Sequence, residues 1–301
     1  MQDTKFIAQL TDSLLKEDLM AASRERVLID CRQFEVWYQG TYGHQLEPAD
    51  LAVTSVDLAE FRSYLLRSCQ PNTVQRKFAS LRKALSLLAP ALLTTLRMPR
   101  VPQGNKPAPS GFTKNERMAI QRAAGRLSTR DKAIVMLAMW TGARASSLAE
   151  AKLSKVQLGG RSGTIEFDIA KGGKPYAVPL NIEAREALIL WLKERPPVEH
   201  DFLFTSERYP YEPVTRWTVH DIWHRRLAKH LPQELVEKLK GPHQARHGLA
   251  RLLLDQGVPL PDVAAILNHS SVATTANIYC RPSEKDLKAA LDKAVGDEVD
   301  E

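Results

Sequence analysis

Four short segments in the latter part of this 301-residue chain carry side chains whose types and order point to phosphoryl transfer. Arg144 stands in WTGARASSLAEAKL, Lys171 in KGGK, His243 and Arg246 in GPHQARHG, and His269 and Tyr279 in LNHSSVATTANIYCR. Transesterification at a phosphodiester builds negative charge on the non-bridging oxygens of a pentacoordinate phosphorus. Without a metal ion, preorganised donors must meet that charge. A planar guanidinium fork matches phosphate bidentately, so Arg144 and Arg246 are the candidate clamps, with His269 as a third donor. The phenol of Tyr279 is the candidate nucleophile. Its ordinary pKa of about 10 is too high for attack. Clustered arginines would lower it, and His243 is a candidate proton acceptor.

Each residue taken alone has a plainer reading. Arg144 fits a surface ion pair, Lys171 a solvated turn, and Tyr279 a half-buried tyrosine with a satisfied hydroxyl. Two further histidine pairs stand at i, i+4. His220 and His224 in HDIWH imitate a zinc-protease helix, but Asp221 fills the glutamate slot and no third ligand has clear spacing. His247, four residues after His243, reads as packing, because Arg246 would set a cation beside any metal. No metal and no cofactor are expected.

Taken in order, with their local contexts TGAR, KGGK, PHQARHG and NHSSVATTANIY, these six residues give a chain that resembles the tyrosine recombinases, or phage integrases. The resemblance covers about 113–290. It implies catalytic roles for Arg144, Lys171, His243, Arg246, His269 and Tyr279, with Lys171 as general acid on the leaving 5′-oxygen. It also implies a 3′-phosphotyrosine intermediate that stores the bond energy, so that rejoining needs no ATP. Strand exchange would proceed by way of a Holliday junction, within a homotetramer on double-stranded DNA bearing inverted-repeat core sites. Family members often carry an acid three residues after the first arginine. Here that position is Ser147, and the nearest acid is Glu150. A relaxing enzyme of the type IB topoisomerase kind, or a non-catalytic DNA-binding regulator on the same fold, are the alternatives.

The elements that must position these residues read as mainly α with a small β-sheet; the resemblance implies a helical N-terminal core-binding domain followed by an α+β catalytic domain of the DNA breaking-rejoining type. The proline-rich stretch 98–112, MPRVPQGNKPAPSGF, reads as a linker between a helical domain over 1–97 and the second domain over 113–295. In the first, Val74, Phe78, Leu81, Leu85 and Leu88 form one helical stripe, with Asn72 or Thr73 as the cap. Arg76, Lys77, Arg82 and Lys83 lie off that stripe and are expected to face solvent, as candidate contacts to the DNA backbone or as a solvated face. In the second, Thr113 with Glu116 opens a helix through a capping box, and 131–141 reads as a buried helix. GTIEFDIA (163–170) and PYAVPL (175–180) flank KGGK as a β-hairpin. Helices follow at about 181–194, 217–230, 243–256, 260–267 and 283–295. The last carries Leu287, Leu291 and Val295 on one stripe. The resemblance implies that it docks in trans on a neighbouring subunit; packing on its own domain is the alternative.

Charge is uneven. The net value is +7, composed of −6 over residues 1–60, +13 over 61–130 and 0 over the remainder. A basic middle suits a polyanionic partner or a solvated basic face. The last six residues, 296–301 (GDEVDE), read as an acidic tail. Three scattered cysteines make no disulfide framework. The N-terminus lacks a signal peptide's apolar run, and no stretch approaches the roughly 20 residues of a membrane span. A soluble cytoplasmic protein is expected.

Overall fold

The structure is a computed structural model that describes residues 3–47, 51–102, 111–168, 175–269, 271–279 and 292. The chain divides into two compact units, Met1–Lys106 and Pro107–Glu301.

The first unit is helical among its described residues: α1 (Lys5–Leu15), α2 (Ala21–Tyr42), α3 (Ser55–Leu66), α4 (Pro71–Leu88) and the short α5 (Leu92–Thr95). Its core gathers Phe6, Leu10, Phe34, Phe61 and Leu81, each almost fully buried. α3 starts with a reciprocal capping box between Thr54 and Asp57. α4 instead starts on Pro71, with no side-chain cap at Gln70. The proline's missing N–H costs nothing in a first turn, and its fixed φ favours the helix, so the expected cap at Asn72 or Thr73 is not needed.

The apolar stripe of α4 is in place, but one expected solvent-facing cation is not. Lys77 is buried, and its Nζ donates to Asp30 Oδ1 at 3.3 Å and to the Gln33 side chain. Position 77 lies on the flank between Val74 and Leu81, where α4 meets α2. Asp30 on α2 is 2% exposed and accepts from Lys77, Arg76 and Ser80. A buried carboxylate needs such partners, and this need turns Lys77 inward. Half-buried Arg76 also pairs with Asp30, Lys83 pairs with Glu17, and Arg82 is exposed.

The second unit is built around α7 (Thr129–Thr141), whose Ala133 to Met139 are all buried. A helix apolar on every side belongs at the centre of a domain. Around it stand α6 (Lys114–Ala124), α8 (Ala145–Ala149), α9 (Ile182–Glu194), α10 (Arg216–Asp221), α11 (Gln233–Lys238), α12 (Pro242–Asp255), α13 (Leu260–Ile266) and α14 (Val272–Tyr279). α10 runs on through a π-helical turn at Ile222–Leu227 that buries Trp223. The capping box of Thr113 and Glu116 opens α6.

The expected hairpin is present as β2 (Gly163–Phe167) and β3 (Tyr176–Pro179), antiparallel, with Ile165 opposite Val178 and Phe167 opposite Tyr176. A third strand, β1 (Val156–Leu158), pairs antiparallel with β2. Three residues are too few to show an alternation, so its register comes from its partner. The connecting KGGK turn, the helix expected at 283–295 and the acidic tail lie outside the described residues, Asp292 excepted. No helix among the described residues is long and apolar enough to cross a membrane.

A buried ion network ties the start of α7 to the turn after α10. Asp131, 1% exposed, accepts from Arg130 Nε at 2.9 Å and from Arg226 Nη1 at 2.8 Å. Arg226 also donates to Glu207 at 2.8 Å. Removing one member of a buried pair strands a charge, which typically costs about 3–5 kcal/mol. Asp131→Asn is expected to lower the unfolding free energy of this unit by about 3 kcal/mol in chemical denaturation. Equal stability of the variant would show the network to be ornamental.

Candidate active site

Gly142 ends α7 in the left-handed conformation, φ 62°. A Cβ there would stand 2.8 Å from Leu267 Cδ2, so the tight turn requires glycine. Its carbonyl accepts from Arg246 Nη1 at 2.8 Å, while the Leu267 carbonyl accepts from Arg246 Nη2. Two loop carbonyls therefore fix the guanidinium of Arg246, which is 2% exposed and points from α12 into the unit. Burial and the nearby charge of Arg144 push its pKa down to about 10. Arg144 itself precedes α8 in extended conformation and is exposed. One arginine is anchored and one is open, with Arg144 felt at Arg246 as a like charge. Such a pair attracts an anion strongly.

The α12 start is set by Gly241, φ 78°, and by Pro242 at the first helical position. His243 follows at the surface, its pKa lowered by partial enclosure of the ring and by the charges of Arg246 and Arg144. His247, one turn along, meets His243 edge-on at 4.4 Å between ring centres. Its Nδ1 lies 2.5 Å from the hydroxyl oxygen of Tyr279. The sequence reading of His247 as mere packing is thus corrected. The available signal was its i, i+4 spacing from His243, which sets both rings on one face of α12.

His269 follows α13, its Nδ1 2.6 Å from Thr275 Oγ1 on α14. If the threonine donates, Nε2 carries the ring hydrogen, and neutral His269 is a donor. Tyr279 ends α14 at 4% exposure, among Leu249, Val263 and Leu267. Burial pushes its pKa up to about 12, with Arg246 pulling the other way. This phenol is therefore un-ionised at neutral pH, despite the arginines expected to activate it.

A second phenol was not foreseen. Tyr176, the first residue of β3, packs on Phe167 at 5.4 Å between ring centres, and its buried hydroxyl has no hydrogen-bond partner at normal reach among the described residues. Burial raises its pKa, while Arg246, Ser147 and Arg144 oppose. Ser147, 3% exposed on α8, thus faces an aromatic hydroxyl where an acid was expected, and Glu150 is exposed at the end of that helix. Nothing in the sequence pattern of β3 marks Tyr176, because an aromatic opening a strand is ordinary. Lys171 lies outside the described residues, in the segment between β2 and β3. His220 and His224, the zinc imitation, stack face to face at 6.1 Å on the α10 segment. Among the described residues no group of three or more His, Cys, Asp or Glu is placed to hold a metal ion.

His247 and His269 are both pushed down to about 4, chiefly by burial, with Arg246 and other cations adding to it. Their unfolded values lie near 6.5, so the unfolded chain binds these protons first. The associated stability is present above about pH 6.5 and is lost as pH falls toward 4. Both rings are only half enclosed, so about 1–2 kcal/mol each is expected once solvent screening is allowed for. The thermal midpoint of the protein should fall between about pH 7 and pH 4.5, and the double variant His247→Gln, His269→Gln should flatten that fall. Parallel curves for the two proteins would refute the assignment.

A sequence model of the phage integrase family matches residues 112–286. The tyrosine recombinase XerA of Pyrococcus furiosus is 29% identical over 199 residues, 66% of this chain and 65% of that protein. The match thus spans just under two thirds of that relative's length. The tyrosine recombinase XerD of Pseudomonas putida is 28% identical over 306 residues, 95% of each chain. Among solved structures, the Tn1549 transposon integrase in complex with transposon right end DNA superposes with a TM-score of 0.71 at 17% identity, covering 95% of this chain and 98% of that one. At that identity the likeness is one of fold.

Proposed function

Because this chain belongs to the phage integrase family, we propose that it is a site-specific DNA recombinase that cuts and rejoins duplex DNA through a 3′-phosphotyrosine at Tyr279. The observation that carries this reading is the gathering of Arg246, His269 and Tyr279 from α12, the segment after α13, and α14. Arg246 reaches the Gly142 and Leu267 carbonyls, His269 Nδ1 lies 2.6 Å from Thr275 Oγ1, and Tyr279 packs among Leu249, Val263 and Leu267, with Arg144 near enough to lower the Arg246 pKa. The scissile phosphate is the anion that such a pair takes up. Arg246 is held by two carbonyls before DNA arrives, so little reorganisation is needed as charge builds on the non-bridging oxygens. His269 supplies a neutral donor. Lys171, from the hairpin turn, protonates the leaving 5′-oxygen. His243, exposed at the head of α12, adds a further contact to the phosphate. The reaction needs neither metal nor ATP, since the phosphotyrosine conserves the bond energy.

The duplex is gripped by a DNA-binding domain over residues 1–97, with Arg82 and the outer faces of Arg76 and Lys83 toward the backbone; Lys77, buried on Asp30, is not among these contacts. The substrate is double-stranded DNA with inverted-repeat core sites, and the working assembly is a homotetramer in which the terminal helix docks on a neighbour.

Covalent trapping tests the reading. Protein is mixed in EDTA with labelled duplexes from its own genetic neighbourhood, including nicked suicide forms, and quenched with SDS. A protease-sensitive, DNA-shifted band is expected, joined at a 3′ end. Tight DNA binding with no such band on any nicked form would leave a regulator on this fold. Adducts that relax supercoiled DNA regardless of sequence would make the protein a topoisomerase-like relaxer.

A further inference from the structure

The contact between His247 and Tyr279 has no place among the six residues singled out from sequence, and it is the shortest polar link of the phenol. His243, the acceptor expected from sequence, instead lies at the exposed head of α12 and touches the site through the edge of the His247 ring. We propose that His247, rather than His243, holds the Tyr279 hydroxyl and takes its proton as the phenol attacks phosphorus. The inference rests on the recombinase reading above.

Nδ1 can accept the phenolic hydrogen only if the ring hydrogen sits on Nε2, and accepting there fixes that tautomer. In the step, the Tyr279 Oη–H bond breaks and its proton passes to Nδ1. The freed electron pair forms the Oη–P bond. The P–O5′ bond breaks with its pair on O5′, which is protonated from the acid side. His247 becomes imidazolium, and the reverse transfer restores the phenol on rejoining.

Without DNA this transfer is disfavoured from both ends. Burial holds the phenol near 12 and His247 near 4, and the groups around the imidazole are cationic or neutral: His243 and Arg246 on its own helix, Lys240 just before it, and His269 across from it, with Tyr279 on α14. A bound phosphodiester brings one negative charge to Arg246 and Arg144, and the pentacoordinate state brings a second. That charge offsets the cations which keep His247 from being protonated, so the imidazole becomes a better base as the transition state forms.

The test is single-turnover adduct formation on a nicked suicide duplex from about pH 5.5 to pH 10, a range that brackets the ordinary histidine and phenol values. Wild type, His247→Gln and His243→Gln are compared. A parallel duplex carries sulfur in place of the bridging 5′-oxygen, whose departure needs no acid. Glutamine keeps an acceptor at position 247 and cannot take a proton. His247→Gln is expected to slow cleavage about 100-fold or more near neutral pH, equally on both duplexes, with the deficit shrinking as pH approaches the phenol's own range. DNA binding and thermal midpoint should stay near wild type. A wild-type rate in His247→Gln would overturn the proposal. A deficit cured by the sulfur substrate would overturn it too, moving the residue to the leaving-group side. A larger, pH-dependent deficit in His243→Gln than in His247→Gln would return the role to His243. A wild type that forms no adduct would remove the recombinase reading itself and this proposal with it, an outcome plainly different from the other three.

Discussion

Tyr279→Phe is expected to abolish the covalent adduct altogether while leaving DNA binding and stability near wild type. The ring stays packed among Leu249, Val263 and Leu267, so the substitution removes one oxygen and no packing. The lost hydrogen bond from the hydroxyl to His247 costs about 1 kcal/mol, offset in part because that oxygen no longer has to be buried. Adduct formation has no such compensation, since no bond to phosphorus forms without a nucleophile. Trapping on a nicked duplex, beside a gel-shift titration, reads both quantities. An adduct that persisted in the variant would direct attention to Tyr176, the other buried phenol influenced by Arg246 and Arg144. Tyr279→Phe combined with Tyr176→Phe would settle that case. Loss of DNA binding in the single variant would mean that the hydroxyl serves the grip on DNA rather than the cut.

How far such expectations were available from sequence depends on whether the deciding force is local. The strands β2 and β3 show β-forming residues on both sides of the KGGK segment, and α7 is apolar from Ala133 to Met139; both patterns are local and both elements form. Spacing also sets His243, Arg246 and His247 on adjacent turns of one helix. It leaves open which imidazole meets the tyrosine, because α14 approaches α12 by tertiary packing, and that packing brings Tyr279 to His247. Lys77 is misread for a related reason: helical periodicity places it at the border of the stripe, and a carboxylate 47 residues away decides its direction. Tyr176 and Ser147 belong to different elements, and no pattern within either announces their meeting. β1 is too short to carry a periodic signal, so its partner defines it. Chemistry legible as an ordered set of residue types is therefore not yet a site; the loop carbonyls on Arg246 and the acceptor on Tyr279 come from the fold.

Arg246→Lys is expected to reduce adduct formation by about 100- to 1,000-fold, the range for loss of one preorganised donor to a transition-state oxyanion. Charge is conserved in this substitution, so simple attraction of DNA to the site should change little, and the loss isolates geometry. The guanidinium spends one Nη on the Gly142 carbonyl and the other on that of Leu267. Both bonds lie in its plane and fix its direction, and its rigid fork keeps the remaining N–H groups aimed. An ammonium is a point charge with three rotating donors. If it satisfies the two carbonyls it has one donor left on a shorter reach, and if it turns to phosphate it orphans a buried carbonyl at about 1–3 kcal/mol. A buried lysine also loses its proton more readily than arginine, whose pKa even here is held only as low as about 10. The Arg246→Lys variant should therefore regain part of its rate below neutral pH, where its ammonium is kept charged. Arg144→Lys, made at an exposed position, should suffer a smaller loss that does not recover at low pH. Equal losses in the two variants, with identical pH profiles, would mean that the site counts charges and that the carbonyl clamp on Arg246 contributes nothing to catalysis.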